Sequence, residues 1–193
     1  MDMKSLILWF YCLPMRDVQL LLLGCTVAYF IIHMMLRHRK WWKWTLGMTL
    51  VALMVAVVVT TLGGRGEGGN YQVNLIPFHS YRAVRDGANP ELYRSNFMNA
   101  ALFYPAGLLA VTLMPKKWTA LSRCLLVVTL FCAMSAGIEF LQFRFSLGQV
   151  EIDDVIHNTL GALTGCTVGL LVPYLLGVIK EKLLHHLYAS KKQ

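Results

Sequence analysis

The chain has 193 residues, of which 56% are hydrophobic and 15% charged, against roughly 25% charged in an ordinary soluble domain. Its mean hydropathy is +0.53 and bilayer-length apolar runs recur along it, which excludes a soluble globular domain and identifies an integral membrane protein. The net charge of +8 is therefore read as a topology signal, because no basic patch interleaved with aromatics points to nucleic acid.

The chain opens MDMKSLILWFYCLPMRD. Pro14 and Arg16 interrupt its apolar run and no small-residue cleavage site follows, so residues 5–13 read as an interfacial helix rather than a cleaved signal. Since about 20 apolar residues cross a bilayer as a helix, the first two spans are expected at 18–36 and 44–62. Arg37, Arg39, Lys40 and Lys43 lie between or just inside them.

Residues 63–95 form one long loop. It opens GGRGEGG, a turn-rich hinge, and continues NLIPFHSYR. A solvated loop has no use for Leu-Ile-Pro-Phe. The segment is expected to dip toward the bilayer or pack across helix ends, with Asn74 and Arg82 placed to cap a pocket there.

The third span, 96–114, begins with Asn96 and Asn99 one turn apart and then carries FYPAG. There Pro105 removes a helix hydrogen bond and Gly107 loosens the helix nearby. Lys116, Lys117 and Arg123 follow it. The fourth span, 124–142, places Ser135, Glu139 and Gln142 on one face. A connection of about ten residues then makes the fourth and fifth spans antiparallel neighbours.

The fifth span, 154–179, starts inside EIDDVIHNTLG. Asp154, Asn158, Gly161 and Gly165 share one narrow stripe, and Asp153 and His157 form an i, i+4 pair on a neighbouring face. Gly161, Gly165 and Gly169 form a small-xxx-small pattern that lets another helix approach closely and presses the polar stripe against protein. Ionisable groups within membrane spans are costly and therefore mark candidate sites. Glu139 and Asp154 are expected at one depth, in one polar pocket with Asn99, and Arg94 and Arg144 are the cations available to pair there.

The basic tail 180–193, the 37–43 segment and the 116–123 segment carry the cations, and they alternate with near-neutral or acidic connections. The positive-inside rule then gives five spans, N-terminus outside and C-terminus inside. The chain divides into 1–62 (interfacial segment and two spans), 63–179 (outer loop and three spans) and 180–193 (tail). The fold class is an all-α polytopic transmembrane bundle. Its five cysteines lie in apolar runs without CxxC or Cys/His spacing, so no disulfide framework, metal site or cofactor is expected.

The stretches NLIPF, FMNAALFYPAGLL, SAGIEFLQ and EIDDVIHNTLGALTG, in that order, resemble the VanZ-like family of bacterial membrane proteins over about 74–165. By position the resemblance picks out Asn74, Pro77, Asn99, Pro105, Gly107, Ser135, Glu139, Gln142, Asp154, Asn158 and Gly161. It departs at Gln149, where many relatives carry a basic residue. It implies a bacterial cell membrane location and a link to teicoplanin-type glycopeptide resistance.

Three functions remain open. In the first, Asn74, Asn99, Gln142, Asn158 and the carboxylates hydrogen-bond a lipid or cell-wall-precursor headgroup while Arg82 and Arg94 pair with its phosphate. In the second, Glu139, Asp154 and His157 divide acid and base roles in a membrane-embedded enzyme, although Ser135 lacks an obvious base and no nucleophile motif is present. In the third, the polar groups serve helix assembly or a protein partner.

Overall fold

The computed structural model describes residues 13–63, 72–87, 91–147 and 149–190. The elements in chain order are α1 (Met15–Leu36), α2 (Lys40–Gly63), β1 (Gln72–Asn74), α3 (His79–Arg85), α4 (Glu91–Leu113), α5 (Ala120–Phe145), β2 (Gln149–Glu151) and α6 (Ile152–Ser190). Five of them, α1, α2, α4, α5 and α6, are long and apolar enough to cross a membrane. These are the five expected spans, each begun a few residues earlier than hydropathy alone places it. Residues 5–12 of the expected interfacial helix and 64–69 of the Gly-rich hinge lie outside the described residues.

Local chemistry sets several of the helix ends. Pro14 precedes α1, where its fixed φ suits a helix start. Thr119 caps α5 by accepting the Ser122 N–H at 3.1 Å. Ser146, in the left-handed region at φ 51°, ends α5. α6 continues to Ser190, so much of the expected tail is helical, consistent with the helix-forming run KEKLLHHL.

The strands were not foreseen. β1 and β2 pair in parallel, with Val73 opposite Val150 and Asn74 opposite Glu151. They lie at the end of the bundle where α4 and α6 begin and α2 and α5 finish, here called the sheet end. The opposite end, with the 37–39 and 114–119 connections, is the basic end.

α4 is the most buried of the five long helices and α1 the least. Phe103, Ala106 and Val111 of α4 pack with Phe131 of α5, Ala162 and Cys166 of α6, and Val57 of α2. α1 is held by two hydroxyl contacts to α4: Thr26 to Tyr104 at 2.9 Å and Tyr29 to Thr112 at 2.8 Å. Leu23, Ile31, Met35 and Met48 are exposed, as the lipid-facing side of a spanning helix must be.

The α4–α6 contact is made backbone to backbone. A Cβ on Gly161 would collide with the Ala100 carbonyl, one on Gly165 with the Tyr104 carbonyl, and one on Gly107 with the Ala162 carbonyl. Gly107 thus contributes a close approach within an unbroken α4, not the loosening expected beside Pro105. The small-residue stripe of α6 finds its partner in α4.

Candidate functional site

Asp153 sits in the first turn of α6, where the helix dipole favours an acid. Its carboxylate serves a different helix. It accepts the Phe78 N–H at 2.5 Å, the Ser80 N–H at 2.9 Å and the Ser80 hydroxyl at 2.5 Å. Those amides are the orphan donors at the start of α3, so Asp153 is a cap supplied in trans. Phe78 adopts the left-handed conformation at φ 59°, unusual for an aromatic residue, and its capped amide holds it there. Phe78, the last residue of LIPF, is thereby tied to the start of α6, while the Leu75, Ile76 and Phe78 side chains are exposed.

The network extends in two directions. The Ser80 hydroxyl, donating to Asp153, accepts from Asn96 Nδ2 at 2.7 Å. One turn beyond Asp153, His157 Nδ1 lies 2.6 Å from the Asp153 carbonyl. A carbonyl only accepts, so Nδ1 carries the proton, and in the neutral ring Nε2 accepts from the Tyr81 hydroxyl at 2.9 Å. The two rings also stack, with centroids 5.6 Å apart. Ser80, Asn96, Asp153 and His157 are all buried. Replacing Tyr81 by Phe keeps the stacking and deletes one hydrogen bond. A loss of about 1 kcal/mol is expected in unfolding measurements of the purified protein.

The neighbouring acid has another partner. Asp154 accepts from Asn99 Nδ2 at 2.6 Å, joining α6 to α4. Asn158 turns to α5, donating to the Ser135 hydroxyl at 2.8 Å. Gln142 donates to the Thr61 carbonyl at 3.1 Å, joining α5 to the end of α2. The side-chain oxygens of Gln142 and Asn158 are buried with no hydrogen-bond partner among the described residues, two acceptors of a kind that buried polar groups rarely leave unused.

Glu139, 8% exposed, accepts the Glu151 N–H at 3.0 Å and so ties α5 to β2. Beside it opens a groove of about 290 Å³ between α5 and the strand pair. Val73, Leu75, Phe140 and Phe143 make up much of its almost wholly apolar wall, and Glu139 and Glu151 are among its lining residues. Leu75, Ile76 and Phe78 are exposed on the adjoining loop.

The expected site residues thus divide into three clusters along the sheet end: Asp153 with His157, Asp154 with Asn99, and Ser135 with Asn158, with Glu139 and Gln142 anchoring α5 nearby. Asn74 accepts the Ile76 N–H at 3.2 Å and pairs through its backbone with Glu151. Arg82 is exposed on α3. Arg94 donates to the Leu13 carbonyl at 2.5 Å and lies 3.9 Å from Glu91, fastening the start of α1. Ser80, Tyr81 and Glu151 are site residues that sequence patterning does not single out. Among the described residues, no group of three His, Cys, Asp or Glu side chains comes together that could hold a metal ion.

The profile of the VanZ/LLP1 family matches residues 44–174. It reaches back through α2, beyond the four motifs, and spans every polar pair just described from Asn74 to Asn158. No curated protein and no solved structure matches the chain. A match over more than half of the sequence, containing four of the five spans and the polar clusters, shows the family: the chain is a multi-pass membrane protein that belongs to the VanZ/LLP1 family.

Proposed function

We propose that the protein works in the bacterial cell envelope by engaging a lipid or lipid-linked cell-wall precursor at its sheet end, and that it lowers susceptibility to teicoplanin-type glycopeptides in this way. The observation that carries the reading is the groove beside Glu139. Its almost wholly apolar wall suits a hydrocarbon chain, and Glu139 and Glu151, among its lining residues, are the acceptors available to the hydroxyl and amide donors of a headgroup. The exposed Arg82 supplies a cation at the same end for a phosphate.

The orientation of the bundle supports this reading. Arg37, Arg39, Lys40, Lys43, Lys116, Lys117 and Arg123 all cluster at the basic end. By the positive-inside rule that end is cytoplasmic, which turns the sheet end and its groove to the outer leaflet, where lipid-linked precursors are exposed. The density of internal hydrogen bonds around Asp153 favours a second reading, in which the polar groups serve assembly alone.

Glu139→Gln separates the two. The amide oxygen can still accept the Glu151 N–H, so that tie between α5 and β2 is kept while the charge is gone. The parent and the variant are expressed in a teicoplanin-sensitive Gram-positive host and compared with an empty vector. The expected result is unchanged membrane abundance with loss of the parent's protection. If protection falls only in step with abundance, Glu139 is structural. If the parent protects nothing, the glycopeptide part of the proposal is wrong.

A further inference from the structure

A second site, unrelated to the groove, lies at the basic end. We infer that the pocket between α1, α2, α4, α5 and α6 at this end binds the phosphate of an anionic headgroup. The cavity measures about 360 Å³, and Arg37, Lys43, Lys116 and Arg123 all line it. No Asp or Glu lines it, and none of the four cations makes an ion pair with the described residues. Like charges converging without a counter-ion repel one another, so the arrangement is stabilised by an anion from outside the chain.

The neutral groups suit the same ligand. Trp42 donates its indole N–H to His33 Nδ1 at 3.0 Å. In the neutral imidazole the remaining proton is therefore on Nε2, a further donor beside the cations. Arg123 Nη2 donates to the Val111 carbonyl at 2.7 Å, which fixes the guanidinium of this lining residue in place.

The position of the cavity selects the source of the phosphate. Trp41 and Trp44, beside it on α2, are exposed, and exposed tryptophans mark the headgroup depth of a bilayer. Phe30, Leu46 and Leu170 give the pocket an apolar part of its wall. A phosphate entering there with acyl chains attached meets cations at its head and hydrocarbon below it. Basic pockets between membrane helices take anionic lipids in this manner.

The test compares two double variants with the same loss of charge, each taking one Lys from the first turns of α2 and one from the 114–119 connection. Lys43→Ala with Lys116→Ala removes cations that line the pocket. Lys40→Ala with Lys117→Ala removes cations that do not. Each full-length protein is reconstituted in phosphatidylcholine nanodiscs containing phosphatidylglycerol, and lipid retention is measured by native mass spectrometry. The pocket pair is expected to retain phosphatidylglycerol about tenfold less well, and the control pair to change by about twofold or less. Equal losses in both pairs would show diffuse surface attraction and overturn the inference, as would no loss in the pocket pair. A parallel arm titrates inorganic phosphate into the parent in pure phosphatidylcholine. Saturable stabilisation that the pocket pair lacks would assign the site to a soluble phosphate. Its absence, with phosphatidylglycerol retained, assigns the site to the lipid.

Discussion

Asp153→Ala is expected to cost on the order of 3–5 kcal/mol of stability and to release the 76–80 loop from the bundle. The carboxylate takes three donors: the Phe78 and Ser80 amides and the Ser80 hydroxyl. All three lose their acceptor at once, at a site where Asp153 is 2% and Ser80 3% exposed. Water does not readily replace an acceptor so deeply placed, and each stranded donor costs about 1–3 kcal/mol. Phe78 would also lose the contact that holds its left-handed backbone, so the start of α3 should fray first. Hydrogen exchange at the Phe78 and Ser80 amides reads this directly, beside thermal unfolding in detergent. Asp154→Asn provides the contrast. Its counterpart, Asn99, is an amide, and by flipping it can present its oxygen to the new amide, so the contact is reversed instead of stranded. The loss there should stay near 1 kcal/mol. If the two acids prove equally important to stability, the trans cap is not the principal fastening of the loop.

That contrast also marks what the sequence could and could not reveal. The five spans were legible because hydropathy integrates over about 20 residues, and no loop chemistry is needed to read it. The glycine stripe was legible because 161, 165 and 169 repeat at helical spacing, although the sequence did not say which helix fills it. Asp153 and Asp154 look alike in DD, and the fold alone turns the first to donors at and just before the start of α3 and the second to Asn99 of α4. Ser80 carried no signal: it is one polar residue in a polar stretch, and its partner lies 73 residues away. The strand pair carried none either, since QVN and QVE are too short for a period of two to register. Gln142 stands out in the sequence as a costly polar group, yet its partner is the Thr61 carbonyl, and backbone carbonyls have no sequence signature. The cations at the basic end read as a topology signal. Their convergence on one cavity depends on how α1, α2, α4, α5 and α6 meet there, which charge counting along the chain does not contain.

Gly165→Ala should be more damaging than its single added methyl group suggests. The new Cβ would overlap the Tyr104 carbonyl and approach the Leu108 nitrogen at 2.8 Å. Both are backbone atoms of a helix, and neither can rotate aside. Relief requires α4 and α6 to separate along the seam that Gly161 and Gly107 also keep closed. Separation would strain Asp154 against Asn99 at one end of the seam and leave Phe103 and Cys166 less well packed within the core. Overpacking of a rigid interior typically costs 1–3 kcal/mol, and with backbone on both sides a value of about 3 kcal/mol or more is expected. At Gly169 the same change meets the tip of Val111, whose Cγ1 lies 2.6 Å away. A rotamer change there absorbs part of the clash, so the loss should be smaller. Gly24, Gly47, Gly137 and Gly177 have nothing within 4 Å, and Ala at these positions should be neutral or slightly stabilising through helix propensity. Membrane abundance and detergent thermal stability of the six alanine variants should therefore rank Gly165 lowest, Gly169 next and the other four near the parent. A flat ranking would mean that α4 and α6 are held together by the polar pairs at the sheet end, with the glycine seam following passively.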